Sequence, residues 1–450
     1  MEMKLEKQVA NKLMYVVMVT LALSAMSVLM FSLVLPQIRE QYSITNAQVS
    51  WVTSAYTLIY GIGTVIYGKL ADRYKLKNLI TFGLLLFALG SVVGLSAQAF
   101  WMVLAGRCIQ AIGAASIPAS AMLIPLRYFP PESRGTAMGT AFMGLAIGSA
   151  LGPVVSAFVL SVMHWKWLFC FPFVLLLTLP FYRRYLGDDH GSPSKIDWLG
   201  GGLLAAAVTL LLLSITWGSI WFAIGGLIAL MLFIVRIRST IAPFVSPDLF
   251  RNRNYTLGVT VTFLISGLGF SIHFLSPLLL AQVNELSASW IGFALVPGAL
   301  ASALLGRKGG RMADLKGNSY LFFIASGLLL SCFVLLSTFI GVSAIYIALI
   351  LILGHVGLTF VMIAMSNAIS MMLSKEQSGV GMGLLSMLNF IAGAMATVIY
   401  GKLLDQGRVN QWNPANFYDT GAVYSNIFLV LTIVLALIVR VYYHYFKKYA

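Results

Sequence analysis

Charged residues are scarce in this chain of 450 amino acids, and acidic residues are the scarcest of them. Asp, Glu, Lys and Arg together make up 10% of the sequence, and only 14 residues are acidic. Soluble domains contain about 25% charged residues. Hydrophobic residues reach 59% and the mean hydropathy is +0.90. The composition therefore excludes an ordinary soluble protein and predicts a chain that lies largely within a lipid bilayer.

Cysteine is almost absent as well. The three cysteines, Cys108, Cys170 and Cys332, lie in separate apolar runs without paired spacing. This pattern excludes a disulfide framework and provides no metal-binding motif. The sequence also lacks a nucleophile–base pair and a phosphate-binding glycine loop. We therefore predict no enzymatic activity, no metal site and no cofactor.

The chain contains instead a series of apolar runs of about 20 residues, each long enough to cross about 30 Å of hydrocarbon as a helix. The runs are apolar on all sides, unlike the alternating strands of a membrane barrel. We predict an all-α polytopic protein with about fourteen spans, an even number that places both termini in the cytoplasm. The predicted spans are 14–38, 50–70, 79–98, 100–124, 136–161, 166–182, 198–216, 219–236, 256–279, 288–306, 319–339, 342–366, 378–404 and 425–446.

The formal net charge of +15 agrees with this topology. With the N-terminus inside, all but five of the 29 basic residues fall on the cytoplasmic side, as the positive-inside rule describes. The distribution favours membrane orientation over nucleic-acid binding as the reason for the charge, and no nucleic-acid partner is predicted. The five exceptions are Arg39, Arg107, Lys166, Lys402 and Arg408.

A short charged stretch occurs twice between spans. The sequence from Gly68 to Asp72 returns 242 residues later as the sequence from Gly310 to Asp314. Such a repeat is typical of transporters built from two six-span bundles. We predict an N-terminal bundle over residues 1–185, a linker with two extra spans over 186–255 and a C-terminal bundle over 256–450.

Four stretches resemble the motifs of a known family. They are the first charged stretch with Trp51 to Gly68 before it, Arg107 to Ala115 followed by Pro118, Arg127 to Gly135, and the group Gly144, Gly148, Gly152 and Pro153. On these stretches the chain resembles the major facilitator superfamily, and within it the fourteen-span drug:proton antiporters, especially the tetracycline efflux proteins of Gram-positive bacteria. The resemblance covers essentially the whole chain.

This resemblance implies a major facilitator fold of two six-helix bundles with two extra helices. It implies a plasma-membrane exporter of a small amphiphilic, drug-like molecule, which works by alternating access and exchanges its substrate for protons. The expected partners are the small-molecule substrate, the lipid bilayer and protons, and the expected oligomeric state is a monomer.

The repeated charged stretch is a candidate conformational latch. Asp72 can accept hydrogen bonds from the amides of a helix N-terminus, or pair with a base, and so hold one conformation of a rocking transporter. Asp314 has the equivalent place in the second stretch. The alternative is a solvated loop charge that serves only topology. The predicted latch consists of Gly68, Asp72, Arg73, Arg311 and Asp314.

A second group of candidates concerns coupling and substrate binding. Arg107 lies inside an apolar span, where a charge costs roughly 2.5–3.5 kcal/mol unless it faces a partner or a wet cavity. Gln110 lies one turn later on the same face. In the resembled exporters this arginine takes part in proton handling, and the alternative is an arginine that snorkels to the interface. Tyr56, Tyr60 and Asn389 are candidate polar lining residues.

The fifth span contains a candidate gating helix. Gly144, Gly148 and Gly152 recur every four residues, so they present a smooth strip that lets a neighbouring helix approach closely. Pro153 removes a backbone donor and bends the helix. Ordinary tight packing is the alternative interpretation of this strip.

No carboxylate falls in the middle of a predicted span. The resembled antiporters have acids in the first, fifth and thirteenth spans. The corresponding places here are occupied by Val28, Ser149 and about Gly393. Proton binding in the membrane therefore lacks its usual carboxylate.

Three interpretations stay open. Proton coupling can pass through His273 in the ninth span or His355 in the twelfth, since imidazoles titrate near neutral pH. The protein can be an uncoupled or anion-selective facilitator with Arg107 as the attractive charge. It can also be a sensor or assembly partner that has a transporter fold without transporting.

Overall fold

The computed structural model describes residues 7–44, 46–187, 197–374, 377–404, 410–416, 418 and 421–446. These residues form helices and connecting turns, with no strand among them. The helices are α1 (Lys7–Met30), α2 (Leu35–Tyr42), α3 (Asn46–Ala71), α4 (Leu76–Leu95), α5 (Phe100–Ala114), α6 (Ser116–Tyr128), α7 (Pro131–Val162), α8 (Phe171–Leu175), α9 (Leu179–Tyr185), α10 (Trp198–Trp217), α11 (Ile220–Ser239), α12 (Asp248–Arg251), α13 (Arg253–Gln282), α14 (Ala288–Lys316), α15 (Asn318–Thr338), α16 (Ala344–Met371), α17 (Ser378–Leu404) and α18 (Ala422–Phe446).

Fourteen segments of the described chain are long and apolar enough to cross a membrane, which confirms the predicted fold class and number of spans. The fourth span joins α5 and α6, and the sixth joins α8 and α9 with the 3-10 turns beside them. In hydrocarbon a helix satisfies its backbone polar groups internally. The length and hydropathy of each run are therefore enough to predict a span.

Prolines mark two of the places where a span ends or is interrupted. The predicted first span runs to residue 38, but α1 ends at Met30. Pro36 lies in the first turn of the separate helix α2, where its missing N–H does no harm. Pro172 and Pro180 have the same position in α8 and α9 and divide the sixth span into short pieces.

The chain divides into two compact units. Unit 1 comprises Met1–Pro130, Ile147–Thr256 and Ile369–Phe390, and unit 2 comprises Pro131–Ala146, Leu257–Ala368 and Ile391–Ala450. Unit 1 therefore includes the first half of α17, and unit 2 includes the first half of α7. The bundle boundaries at residues 185 and 256 stay a prediction. The predicted cytoplasmic termini and residues 188–196 of the predicted linker lie outside the described residues.

In unit 1, α10 and α11 pack along each other as the two extra spans. A Cβ added at Gly226 of α11 would lie 2.8 Å from the Leu211 side chain of α10, so the glycine permits a close approach. Asp197 precedes α10, and its Oδ1 accepts the Gly200 N–H at 3.1 Å and the Arg236 guanidinium at 3.2 Å. This carboxylate ties the first turn of α10 to the last turn of α11.

Replacing Asp197 by alanine should lower the thermal stability of the purified protein. Burial raises the pKa of Asp197, but the Gly200 N–H and Arg236 outweigh burial and leave the pKa below its usual value. The contribution of Asp197 to the stability of the fold is therefore fully present above the usual aspartate pKa. It is lost as the pH falls through the lowered pKa of Asp197. Loss of a helix cap costs about 0.5–2 kcal/mol, and we expect a drop of a few degrees in the melting temperature, measured by scanning fluorimetry in detergent.

Asp248→Ala is the matched control for that measurement. Asp248 pairs with Arg251 at 3.5 Å, but its side chain is 68% exposed, whereas that of Asp197 is 2% exposed. Exposed ion pairs contribute little, so the control should melt as the wild type does. Equal melting temperatures for all three proteins would contradict the capping role.

Candidate functional site

The first charged stretch closes onto the start of α17 within unit 1. Asp72 follows the last residue of α3, and its Oδ1 accepts the Gly379 N–H at 3.1 Å. Gly68 lies one turn earlier, and a Cβ there would contact the Gly379 backbone. Arg127, at the end of α6, donates to the Ala71 carbonyl at 2.6 Å. The carboxylate thus accepts from an amide that has no partner within its own helix.

The second charged stretch has the same arrangement within unit 2. Asp314 lies in the last turn of α14, and its two oxygens accept the N–H groups of Gly135 and Thr136 in α7, each at 2.7 Å. The Thr136 hydroxyl also donates to this carboxylate. A Cβ at Gly310 would lie 2.6 Å from the carbonyl carbon of Gly135. The sequence repeat is therefore matched by a repeated contact, in which a glycine allows close approach and an acid binds helix amides.

The two predicted basic members of the latch lie elsewhere. Arg73 and Arg311 are both exposed, and the Arg73 guanidinium lies 5.4 Å from the centre of the Tyr74 ring. The base that interacts electrostatically with Asp72 is Arg127, followed by Lys69. Among the described contacts, Asp72 and Asp314 accept hydrogen bonds from helix amides, and neither Arg73 nor Arg311 takes part in them.

The sequence analysis did not identify the residues around the two acids as their partners, although Arg127 and Gly135 belong to a stretch that carries the family resemblance. These partners are Gly379, Gly135, Thr136 and Arg127. One signal was present, because Gly379, Gly381 and Gly383 alternate at the start of α17, and Gly135 and Gly139 are a further pair of glycines four residues apart near the start of α7. A glycine-rich first turn is what a close backbone contact requires.

Among the described acidic residues, Asp72 has the pKa that departs most from its usual value. Burial raises the pKa of Asp72 to about 7, although Arg127, Lys69 and the amides of Gly379 and Val380 act in the opposite direction. Its second oxygen, Oδ2, is buried without a hydrogen-bond partner. The contact therefore holds a proton more tightly than an aspartate in water does.

A pH dependence of the Asp72 contact follows from linkage. Because its pKa is raised in the contact, the contact is most stable at low pH, loses stability as pH rises from the usual aspartate range toward 7, and changes little above 7. Hydrogen exchange of the first turn of α17, corrected for intrinsic rates, should therefore accelerate between about pH 5.5 and pH 7. Asp72→Asn should remove this dependence, and an identical pH profile in both proteins would contradict the account.

Arg107 lies in a fully enclosed site among α1, α3, α4 and α5 of unit 1. The residue is 0% exposed, and its guanidinium carbon lies 4.1 Å from the centre of the Phe31 ring and 3.9 Å from that of Tyr56. Its Nη1 donates to Gln110 Oε1 at 2.9 Å, and Gln110 donates to Ser91 Oγ at 2.8 Å. Complete burial excludes the snorkelling interpretation, because a snorkelling head group would reach the surface.

The positive charge of Arg107 has no carboxylate among the described groups that contact it. Besides the two rings, the guanidinium donates to the backbone carbonyls of Val52 at 3.3 Å and Ser27 at 3.5 Å. Its Nη2 is buried with no hydrogen-bond partner. Cation–π contacts and carbonyl dipoles lower the cost of the buried charge, and one donor is left unused.

Tyr56 and Tyr60 extend this site toward α17. Their rings stack at 5.8 Å, and the Tyr60 ring meets Phe390 edge-on at 4.9 Å. The Tyr60 hydroxyl lies 3.4 Å from Ser24 Oγ. Asn389 is half-buried in α17 beside Phe390 in the chain. The structure thus brings Arg107, Gln110, Tyr56 and Tyr60 into one connected group.

His273 and His355 form a pair within unit 2. The ring centroids are 5.3 Å apart, although the residues belong to α13 and α16. His355 Nδ1 lies 2.9 Å from the Leu351 carbonyl, and a Cβ at Gly298 would come within 2.6 Å of that nitrogen. His273 is exposed although it lies well inside a span, and His355 is half-buried. The pair is therefore not fully enclosed by the protein.

The glycine strip of α7 contacts α1 through two of its three members. In unit 1, a Cβ at Gly148 would meet the Ala22 backbone, with its carbonyl carbon at 2.8 Å, and a Cβ at Gly152 would lie 3.1 Å from Leu29 Cβ. Gly144 is buried and belongs to unit 2. Pro153 lies inside α7, which continues through it as one helix.

Carboxylates in the described part of the chain lie at the ends of the spans or between them. Glu132 lies in the first turn of α7, and Asp314 in the last turn of α14. Asp72 follows the end of α3. Where the resembled antiporters have an acid in the fifth span, Ser149 occupies α7. Within the described spans, the two mid-span titratable imidazoles are those of His273 and His355, and no carboxylate lies at mid-span.

The sequence profile of the Major Facilitator Superfamily matches residues 17–397. Multidrug resistance protein 3 of Bacillus subtilis is 30% identical over 274 residues, which are 58% of this chain and 53% of that protein. The match thus spans about half the length of that relative. Lincomycin resistance protein LmrB of Listeria monocytogenes is 26% identical over 403 residues, 84% of this chain and 83% of that protein.

The fold is shared with a solved transporter. The crystal structure of the human organic anion transporter MFSD10 (TETRAN) matches with a TM-score of 0.71 at 17% identity, over 95% of this chain and 99% of that chain. At this identity the likeness concerns the fold alone. The profile match over most of the sequence and the fourteen spans lead to the same conclusion: this chain belongs to the major facilitator superfamily of membrane transporters.

Proposed function

We propose that this chain exports a small amphiphilic, drug-like molecule across the plasma membrane in exchange for protons, with both termini in the cytoplasm. The observation that carries the coupling proposal is the His273–His355 pair, whose rings lie 5.3 Å apart inside two spans. The relatives named for multidrug and lincomycin resistance support the drug-like substrate class.

The pair suits the binding of one proton at a time. Two imidazolium groups at this distance repel each other, so protonation of one disfavours protonation of the other. Besides His355, the Phe270 ring packs against His273 with the ring centroids 6.1 Å apart, and the Leu351 carbonyl faces His355. The described contacts around the pair include no carboxylate to hold a proton permanently. Binding and release of the single proton then accompany the transport cycle.

Alternating access needs contacts that are either made or broken. The amide contacts of Asp72 and Asp314 are of this kind, because each joins the end of one helix to the start of another. The glycines at these contacts let the two backbones touch, so the helices cannot shift gradually without breaking the contact. Packed interfaces of this kind switch between discrete arrangements rather than deforming continuously. We assign to them the role of latches, with the glycine strip of α7 as the neighbouring gating helix.

Everted membrane vesicles with an acid-inside pH gradient test this proposal. Addition of tetracycline, lincomycin or ethidium as probes should raise the internal pH, and the probe should accumulate inside. Vesicles from cells without the protein provide the baseline. If neither probe accumulation nor proton movement exceeded that baseline under any gradient, the non-transporting alternative would replace the exporter.

One observation favours a second candidate, an uncoupled anion-selective facilitator. In the part of the chain that the structure describes, Arg107 is a buried cation that no carboxylate contacts and that has one unused donor, as an anion-binding site would need. The same vesicles separate the two functions. A facilitator would equilibrate an anionic probe such as fluorescein without a pH gradient and without moving protons.

A further inference from the structure

Unit 2 contains a cavity of about 460 Å³ that lies between α13, α17 and α18. This volume is within the range of about 300–1,000 Å³ that is typical of ligand pockets. Its walls include Ala392, Ala396 and Ile427, which are each at most 6% exposed. None of the residues assigned to coupling or latching lines it. The cavity therefore needs an explanation of its own.

The polar groups of the cavity wall are already hydrogen-bonded within the protein. The Tyr400 hydroxyl donates to the Gly267 carbonyl at 2.9 Å. Asn426 accepts the Trp412 N–H at 2.9 Å and donates to the Asn410 carbonyl at 2.8 Å. A polar ligand would have to break these bonds, whereas an apolar ligand would leave them intact. The wall chemistry thus selects an apolar ligand.

The rim of the cavity continues into the exposed apolar face of α18. Val430 at the rim is 42% exposed, and Ile433, Leu437 and Val441 follow along the helix at 54%, 57% and 45%. Spacings of three and four residues place them on one stripe. On a membrane span such a wholly apolar stripe faces hydrocarbon. The cavity therefore opens toward lipid tails.

The length of the cavity along α17 matches the hydrocarbon thickness of one leaflet. From Ala392 to Leu403 the cavity follows twelve residues of α17, whose eleven steps of about 1.5 Å make about 16.5 Å. Half of a hydrocarbon core of about 30 Å is about 15 Å. Trp412, which is 62% exposed, lies at the end formed by the loop before α18. Tryptophan prefers the membrane–water interface, so this end lies at head-group level.

We propose that this cavity binds one acyl chain of a bilayer phospholipid, with the head group beside Trp412 and the chain along α17. The lipid comes from the leaflet on the side of the loop between α17 and α18. Binding fills the space among three helices of unit 2, so the lipid acts as a structural ligand that is separate from the exported molecule.

Photo-crosslinking in proteoliposomes tests the proposal. The probe is a phosphatidylcholine with a diazirine midway along one acyl chain, and labelled residues are located by mass spectrometry. We expect labelling at Met395 and Leu431 to exceed labelling at Leu227 and Met231 by at least about fivefold. The latter two lie on the open face of α11 and are 58% and 68% exposed, so they report ordinary contact with lipid. Equal labelling at both places would overturn the proposal.

The second measurement uses a variant in which a larger side chain fills the cavity. At Gly267 an added Cβ would lie 3.8 Å or more from its neighbours, so Gly267→Leu should fold and reduce cavity labelling by about fivefold. Gly327→Leu is the matched control, since an added Cβ there meets nothing within 4 Å, and its labelling should equal that of the wild type. If Gly267→Leu is not produced, Ala396→Leu fills the same cavity. Labelling that is unchanged by filling, or that is displaced by a transported drug, would contradict a lipid site.

Discussion

Gly68→Leu is expected to reduce the initial rate of drug uptake in proteoliposomes by at least about tenfold. A Cβ at Gly68 would lie 3.0 Å from the carbonyl carbon of Gly379 and still closer to its oxygen. Because the contacted atoms are backbone, no side-chain rotation relieves the overlap. The end of α3 must move away from α17, and the hydrogen bond between Asp72 and the Gly379 amide is lost with it.

Gly310→Leu should have the same effect in unit 2. There a Cβ would lie 2.8 Å from Thr136 Cα and 2.6 Å from the Gly135 carbonyl carbon. Gly202→Leu is the matched control, because an added Cβ at Gly202 meets nothing within 4 Å. Rates are normalised to the amount of reconstituted protein. Wild-type uptake by Gly68→Leu and Gly310→Leu would show that neither close approach is needed for transport.

Arg107→Lys is expected to reduce uptake by at least about tenfold as well. The guanidinium lies between two aromatic rings, at 4.1 Å from Phe31 and 3.9 Å from Tyr56, while it also donates to Gln110 and the Val52 carbonyl. An ammonium group is compact and cannot reproduce this planar arrangement. Arg107→Ala should be worse, since each buried acceptor left unpaired costs about 1–3 kcal/mol.

Two readouts separate the role of Arg107 in transport from its role in folding. The melting temperature should fall strongly for Arg107→Ala and less for Arg107→Lys, whereas uptake should be low in both. Arg238→Ala is the control, since Arg238 is exposed in the last turn of α11, and it should match the wild type in both readouts. Unchanged uptake and unchanged melting of Arg107→Ala would remove Arg107 from the account.

The number of spans followed from the sequence because the requirement that creates a span is local. A run such as Ala344–Met371 satisfies its own backbone and is predominantly apolar. The repeat of Gly68 and Asp72 by Gly310 and Asp314 was also visible without coordinates. These features depend on neighbours in the chain, so pattern and hydropathy were enough.

The partners of the candidate residues were beyond the reach of sequence patterns. Asp72 and Gly379 are 307 residues apart, and the sequence around either residue does not indicate that the other is its partner. Likewise, the pairing of His273 with His355 depends on which faces of α13 and α16 meet. Buried spans are apolar all round, so their periodicity does not indicate which face packs inward. The enclosure of Arg107 by Phe31 and Tyr56 was hidden for the same reason.

The most direct test of the account is proton movement driven by substrate in vesicles that contain His273→Gln, His355→Gln or the wild-type protein. We expect a drug that is accumulated by the wild type to release internal protons, and we expect both variants to lose that proton movement by at least about tenfold. His444→Gln, at the exposed end of α18, should behave as the wild type does. Full proton-coupled uptake by both variants would contradict the proposal that the histidine pair replaces the missing carboxylate.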